Sequence, residues 1–185
     1  EIPFFYAQEE SMSQHPLVIF FESLFAIKKN NYRTDDVVNL LKSKVYTDVN
    51  LDEEIIDYFE YYVQKYKISG RKKFTEEFNE SEFSQIELVN EMREKLLGSE
   101  SPLQVFLGNN RKKTGKKWVS DLQGLLENGN VMANMNAYFS AAELQNEHQM
   151  ADKHEQVWQM LISTLNEFLA VFSDEKLKSV EFLDI

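Results

Sequence analysis

The chain has 185 residues, of which 43% are hydrophobic and 13% aromatic; it has no cysteine, and its net charge is −11. This length is enough for one domain with a full core, and this apolar content excludes a disordered chain. The lack of cysteine excludes disulfides, thiolate catalysis, iron–sulfur clusters and cysteine-type zinc sites from these residues. It fits a reducing compartment, so we expect a cytoplasmic protein. No apolar run approaches the ~20 residues of a membrane span, so we expect no membrane partner.

The start of the chain differs from the remainder. Residues 2–6 (Ile-Pro-Phe-Phe-Tyr) form a short, apolar, extended run that is too short for a sheet of its own. We interpret residues 1–12 as a connector from a neighbouring domain and predict one helical domain over residues 13–185, with its last helix cut short. Because the chain begins with Glu rather than Met, we expect it to be a piece of a larger protein.

Helix start and stop signals recur along the first half of the chain. Ser13 is the predicted N-cap of a first helix that has Pro16 in its first turn. Thr34 is the predicted cap of a second helix, and Asn50 opens a third. Gly70 is predicted to end that third helix as its C′ residue.

Similar signals continue in the second half, where the loop 71–80 carries two possible apolar anchors, Phe74 and Phe78. The predicted elements after it are a helix from about Ser81 to Leu97 closed by Gly98, a shorter helix opened by Ser101 and Pro102, a break at Gly108, a helix capped by Thr114, a break at Gly129, and a helix from Val131 through Ala142.

The longest amphipathic pattern covers residues 150–172. Apolar residues recur there at steps of three and four, and no Gly or Pro interrupts them. We predict a long helix with several others packed on it, as the spine of the domain. Outside the first six residues no segment alternates with period two, so the predicted fold is all-α, a single multi-helix domain of about eight or nine helices.

The sequence gives no catalytic, cofactor-binding or metal-binding residue. The glycines at 108 and 115 are separated by six residues instead of the four of a phosphate loop, and Lys117 occupies the position of its Ser or Thr. No His-Glu-x-x-His or Gly-x-Ser-x-Gly motif is present. His154 lies on the apolar stripe and is interpreted as a core or interface histidine, and His15 as a packing or capping residue.

Positive charge is concentrated in two places on this acidic chain. Five of the 20 basic residues fall within seven positions: Arg111, Lys112, Lys113, Lys116 and Lys117. A second group consists of three consecutive basic residues, Arg71, Lys72 and Lys73. Such clusters are either solvated surface charge or contacts to the phosphates of a nucleic acid. Contacts of this kind would position a backbone without reading its sequence.

Several stretches in order resemble the RexB/AddB subunits of bacterial ATP-dependent helicase-nucleases. The first matching stretch is residues 2–5 together with 11–18, and the second is residues 30–45, which contain an aromatic-Arg-x-x-Asp pattern followed by Leu-Lys-Ser. The third is residues 55–74, in which Lys67 stands where the family usually has Gly. The fourth is residues 154–185, which contain Glu-Gln-Val-Trp and the predicted helix after it.

The resemblance implies a place for this chain in a larger machine. It would be the helical 2B-type insert of a superfamily 1 helicase-like arm, in a subunit that pairs with a RexA/AddA-type motor subunit and processes double-strand breaks for recombination. ATP, Mg²⁺ and an iron–sulfur cluster are implied for the parent complex, and none for this chain.

Two functions remain open at this point. In the first, the chain contacts the phosphates of double-stranded DNA through Arg71, Lys72, Lys73 and the basic residues between 111 and 117. In the second, its acidic helical body docks the motor subunit or neighbouring domains without direct DNA contact. The net charge of −11 favours the second for most of the surface, and the 111–117 cluster favours the first at one edge.

Overall fold

The fold is helical, as the sequence predicts, and forms a single domain. A computed structural model describes residues 14–46, 53–108, 111–144 and 148–183. Within these ranges the elements are α1 (Pro16–Lys29), α2 (Thr34–Lys42), α3 (Glu53–Lys65), α4 (Arg71–Thr75), α5 (Ile86–Leu97), α6 (Pro102–Leu107), β1 (Lys113–Thr114), α7 (Gly115–Asn128), α8 (Val131–Leu144), α9 (His148–Phe172), β2 (Lys176–Leu177) and α10 (Ser179–Leu183). The predicted connector 1–12, and the caps Ser13 and Asn50, lie outside the described residues.

The first two helices start differently from the prediction. His15 is the N-cap of α1, and its Nδ1 accepts a hydrogen bond from the Leu17 amide at 3.2 Å. Arg33, not Thr34, is at the N-cap of α2. The Thr34 hydroxyl instead donates to the Ile68 carbonyl at 2.7 Å, so it ties α2 to the chain after α3.

The end of α3 is also displaced from the predicted Gly70. The helix ends at Lys65, and Lys67 adopts the left-handed conformation with φ 49°. The Ile68 amide donates to the Val63 carbonyl and the Lys67 amide to the Gln64 carbonyl, which is the Schellman pattern of a helix C-terminus. Gly70, with φ 92°, precedes the short helix α4, which occupies the predicted loop.

The middle of the chain follows the prediction more closely. Phe74 and Phe78 are buried anchors, as expected. The Ser101 hydroxyl caps α6 by accepting from the Gln104 amide at 3.1 Å. Helix α5 begins at Ile86 rather than near Ser81, and Gly98 closes it.

The long helix α9 is not the centre of the core. It packs mainly on α7 and α8, and along its stripe Val157 and Phe168 are buried while Leu161 and Leu165 are only half-buried. Helix α7 buries six of its residues, among them Trp118, which is almost fully enclosed. The Trp118 ring stacks on Phe182 and its Nε1 donates to the Leu177 carbonyl at 2.9 Å.

A two-stranded antiparallel ribbon was not predicted. It pairs Lys113 with Leu177 and Thr114 with Lys176. Strands of two residues are too short to show an alternating pattern, so this ribbon leaves no signal in the sequence. It joins the predicted basic segment to the end of the chain.

The buried apolar side chains form one continuous core through α1 to α10. Among the described helices, none combines the length and the apolar composition that a membrane span requires. The single core explains why the described helices behave as one domain rather than two.

Candidate nucleic-acid interface

The residues 111–117, here called the basic segment, are held by backbone contacts to the chain that follows α9. The Gly115 amide donates to the Glu175 carbonyl at 3.1 Å, and the Lys116 amide donates to the Ser173 carbonyl at 3.0 Å. A Cβ added at Gly115 would collide with the Phe172 carbonyl oxygen, so only glycine permits this approach. The Thr114 hydroxyl accepts from the Lys117 amide and caps α7, as predicted.

Two of the five side chains that were predicted to contact phosphate are paired with a carboxylate of the chain itself. Lys113 and Lys117 both form ion pairs with Asp121, the second at 2.7 Å, and Lys113 also lies over the Trp118 ring. Burial alone would raise the pKa of Asp121, but the hydrogen bonds from both lysines outweigh it and hold that pKa below its usual value. These two lysines fix the start of α7 rather than offer charge to a ligand.

The remaining cations of the segment face solvent. Lys112 and Lys116 are exposed and form no ion pair with a described carboxylate, and Arg111 is exposed beside them. The ribbon places Lys176 directly opposite Thr114 and adds Lys178 two residues later, and both are exposed. The sequence alone does not place these two lysines beside the basic segment, because they are some sixty residues away along the chain.

The second cluster opens α4 and lines a cleft of about 660 Å³, here called the Arg71 cleft. Arg71 is half-buried, whereas Lys72 and Lys73 are exposed. Lys72 lies 3.8 Å from Glu76, and Lys73 Nζ donates to the Lys67 carbonyl at 3.1 Å. All three predicted residues therefore lie together in space as well as in sequence.

The structure brings the two clusters toward each other at the end of α6. A Cβ added at Gly108 would lie 3.0 Å from Arg71 Nη2, so the guanidinium rests against the last turn of that helix. Lys28 Nζ donates to the Leu107 carbonyl at 2.6 Å. Burial lowers the pKa of Lys28, and the nearby Arg71 charge lowers it further, so two cations lie close together at this helix end.

The chain length bounds the separation of the two clusters. Arg111 follows Gly108 by three residues, so their Cα atoms are at most about 11 Å apart at 3.8 Å per residue. The guanidinium of Arg71 and the start of the basic segment therefore lie within a few phosphate spacings of each other. Since the two clusters lie close to each other in the fold, we call them together the basic edge.

The histidines form a separate cluster at the start of α1. His15 and His154 stack, with 3.4 Å between His15 Nε2 and His154 Nδ1, and Phe139 and Trp158 stack on His154. This agrees with the interpretation of His15 as a cap and of His154 as a packed histidine. Within the part of the chain that the structure describes, no group of three or more His, Cys, Asp or Glu residues could hold a metal ion.

Comparison with known proteins shows what kind of chain carries this edge. Over its whole length the chain is 98% identical to the exonuclease/helicase subunit RexB of Lactococcus lactis subsp. cremoris (strain MG1363). It is 32% identical, again over its whole length, to a protein of Streptococcus agalactiae serotype Ia that is named as a subunit of an ATP-dependent helicase/deoxyribonuclease. The chain belongs to the RexB family.

The chain spans only part of these RexB relatives. It covers 17% of the Lactococcus protein and 16% of the Streptococcus protein. A search against protein-family models gives no match. The identity to RexB proteins confirms the resemblance found in the sequence. The placement as a 2B-type insert and the domain boundaries stay predictions.

Proposed function

We propose that this chain is a non-catalytic helical part of a cytoplasmic ATP-dependent helicase/exonuclease subunit, and that it positions duplex DNA through phosphate contacts. The parent subunit would act in double-strand break repair and recombination, together with a RexA/AddA-type motor subunit. What supports the parent assignment is the identity to subunits named for helicase and deoxyribonuclease activity. ATP, Mg²⁺ and an iron–sulfur cluster are expected of the parent complex, and this chain contains no cysteine that could hold such a cluster.

The observation that carries the DNA contact is the basic edge. Lys112, Lys116 and Lys176 project from a ribbon and a helix start that are held rigid by Asp121 and by backbone hydrogen bonds. The Arg71 cleft continues this edge at the end of α6. Phosphates are bound by such exposed cations without sequence readout, because the contacts reach only the DNA backbone.

The net charge of −11 disfavours the approach of DNA but does not exclude phosphate contacts at the basic edge. At physiological ionic strength the Debye length is about 8 Å, so carboxylates on the far side of the domain are screened from a phosphate at the basic edge. The long-range field of the acidic body would slow the encounter with DNA, and only the local cations would hold it. Binding by the isolated chain is therefore expected to be weak and strongly dependent on salt.

The test measures the affinity of this chain for blunt duplex DNA across a salt series. The variant Lys112→Gln/Lys116→Gln leaves Asp121 and its two lysines in place, so the fold of the segment is retained. We expect the slope of log affinity against log salt to fall by about two, since each lysine that leaves a phosphate lowers it by about one.

The matched control is Lys42→Gln/Lys44→Gln, which removes the same charge at the C-terminal end of α2. These lysines pair with Glu60 and Glu53 and lie about 12 Å along the helix from its start near the Arg71 cleft. We expect the control to bind as the parent chain does. Equal losses in both variants would mean that net charge alone controls binding, and the proposed contact would then be wrong.

A second candidate function is protein docking, and an apolar groove of about 570 Å³ favours it. The groove lies between α1, α9 and α10, and its floor includes Phe21, Leu161, Leu165 and Phe182. Val171 on its edge is 67% exposed. The incomplete burial of the α9 stripe is what leaves this groove open.

We propose that its occupant is an amphipathic helix that carries Lys or Arg beside its apolar face, supplied by the motor subunit. Among the described residues that line the groove, the two charged ones are Glu22 and Glu167. A basic flank would pair with both carboxylates, whereas a second copy of this acidic chain would be repelled by them. The mode would be helix-in-groove recognition.

The docking test uses the full-length subunit and its motor subunit. Met160→Lys and Val171→Lys place a positive charge on exposed groove positions, where it would repel a basic flank, so the fold is expected to survive while association weakens at least tenfold. The control is Val105→Lys, at a position that is 63% exposed and outside the groove. Unchanged association in both groove variants would contradict docking by the motor subunit, and self-association of the chain lost in them would assign the groove to a second copy.

A further inference from the structure

The Arg71 cleft differs in shape from the remainder of the basic edge. It is a concave space of about 660 Å³, within the range of roughly 300–1,000 Å³ that is typical of small-ligand sites. Its floor and walls come from three separate parts of the chain: Asn31 after α1, residues 69–73 at the start of α4, and Ser99 and Gln104 around α6. The ribbon lysines, by contrast, project into solvent.

The lining of this cleft is suited to an anion. None of the described residues that line it is Asp or Glu, and three of them are the consecutive cations Arg71, Lys72 and Lys73. Arg71 has no ion pair with a described carboxylate, although it is half-buried. Its positive charge acts on two neighbouring side chains. It adds to the lowering of the pKa of Lys28 that burial causes, and it opposes the rise in the pKa of Tyr32 that burial causes.

Neutral donors complete the lining. The side chains of Asn31, Ser69 and Ser99 can each donate a hydrogen bond into the cleft. Gln104 is already fixed, because its Oε1 accepts from the Tyr32 hydroxyl at 2.8 Å. The Gly70 amide is used as well, since it donates to the Tyr32 carbonyl at 2.9 Å, so the turn that carries Arg71 is anchored to the connection between α1 and α2.

We propose that the Arg71 cleft binds a phosphate monoester, the group found at a phosphorylated DNA end or as free inorganic phosphate. This inference rests on the proposed function, because it makes residues 71–73 the place that holds a terminal phosphate instead of the side of a duplex. A monoester carries close to two negative charges at pH 7, and a backbone diester carries one. Arg71, with its planar fork of donors, and Lys73 match the extra charge and the free oxygens.

Shape separates the two kinds of phosphate. A duplex is a convex rod, so its backbone phosphates reach the exposed Lys112, Lys116 and Lys176 more readily than a concave space between α1, α4 and α6. A terminal phosphate ends the strand and is able to enter. The basic edge would therefore hold the side of the duplex at the ribbon and a strand end at the cleft.

The experiment compares the affinity of this chain for one short single strand with a 5′-phosphate and with a 5′-hydroxyl, and adds inorganic phosphate as a third ligand. We expect the 5′-phosphate to raise affinity about tenfold, and inorganic phosphate to compete with it. The gain is expected to shrink from pH 7.5 to pH 5.5, because the second pKa of a phosphate monoester is about 6.

Two variants locate the effect. Arg71→Gln and Lys73→Gln should each abolish the gain from the 5′-phosphate and the binding of inorganic phosphate, and the exposed Lys73 serves as the check if the Arg71 variant folds poorly. Lys112→Gln/Lys116→Gln should weaken both strands equally and leave their ratio unchanged. That variant also distinguishes failure of the proposed duplex contact from failure of the proposed phosphate site. The affinity gained from a 5′-phosphate can still be measured when the duplex contact at the ribbon is lost.

Each outcome decides the inference. Binding of inorganic phosphate that depends on Arg71 and Lys73, without a gain from the 5′-phosphate, would support the site and assign it to free phosphate. Equal affinity for both strand ends together with no binding of inorganic phosphate would overturn it. A gain that survives both cleft variants would overturn it as well, since the phosphate would then be held elsewhere.

Discussion

At the scale of single residues, Lys67 holds a conformation that costs free energy. Its φ of 49° lies in the left-handed region at the C′ position of α3, where glycine is preferred. We expect Lys67→Gly to raise the free energy of unfolding by about 1 kcal/mol, which corresponds to a rise of about 2–4 °C in Tm for a chain of this size. The control Lys65→Gly, in the last turn of α3, should lower Tm, and a Lys67→Gly variant no more stable than the parent would contradict the expectation.

The stacked histidines make stability depend on pH. Burial lowers the pKa of His15, and burial together with the His15 charge lowers the pKa of His154 to about 4, from an ordinary value of 6.5. The unfolded chain therefore binds more protons between about pH 4 and pH 6.5, so stability is complete above this window and is lost as the pH falls through it. We expect Tm to fall from pH 7 to pH 5, and to fall less in His154→Phe, which keeps the stacking on Phe139. An equal fall in both proteins would exclude His154 as the cause.

Helix caps were predicted correctly from the sequence where the hydrogen-bond partner of the capping residue is close to it along the chain. Ser101 and Thr114 cap α6 and α7 by bonds to amides three residues later, as the sequence indicates. Thr34 carries the same signal, but its hydroxyl is used by the Ile68 carbonyl, which is distant in sequence. Gly70 likewise shows a stop signal, although the left-handed residue that ends α3 is Lys67. Tertiary contacts decided these two cases.

At the scale of elements, the approach of α7 to the end of α9 depends on Gly115. A Cβ there would meet the backbone of Phe172, which cannot move without breaking the ribbon between β1 and β2. We expect Gly115→Ala to lower the free energy of unfolding by about 1–3 kcal/mol, as overpacking does elsewhere, measured by urea denaturation. In the control Gly124→Ala, within the same helix, the nearest atom would lie at 3.9 Å, so stability should rise slightly. A loss in the control equal to that at Gly115 would contradict this expectation.

Helix content is readable from the sequence, but the role of each helix is not. The stripe of α9 has the periodicity of a buried face, and that pattern predicted its existence and length well. Periodicity cannot show how much of a stripe is covered, and here Ile162 and Val171 remain exposed. The ribbon was not predicted because each of its strands has two residues, which is too short to show an alternating pattern.

At the scale of the whole molecule, one continuous core predicts one cooperative unfolding transition. The two tryptophans report on different environments, since Trp118 is enclosed in α7 and Trp158 is half-buried on α9. We expect the variants Trp118→Phe and Trp158→Phe to give fluorescence midpoints in urea that agree with circular dichroism of the same variant. Midpoints that differ between fluorescence and circular dichroism would show that α9 unfolds separately.

The candidate site illustrates what a sequence can and cannot provide. Each basic cluster was visible as a local concentration of charge. Their approach at Gly108, the use of Lys113 and Lys117 by Asp121, and the addition of Lys176 all depend on contacts between distant parts of the chain. The sequence therefore predicted which residues are basic, and the fold determined which of them are available.

The ribbon also has a consequence for synthesis. Its first strand lies in the middle of the chain and its second strand near the end, so the pairing of Thr114 with Lys176 must wait until both have left the ribosome. Until then, the amides of Gly115 and Lys116 lack the carbonyl partners that follow α9. A nascent or truncated chain that stops before Leu177 would carry every lysine of the basic segment without the ribbon that arranges them.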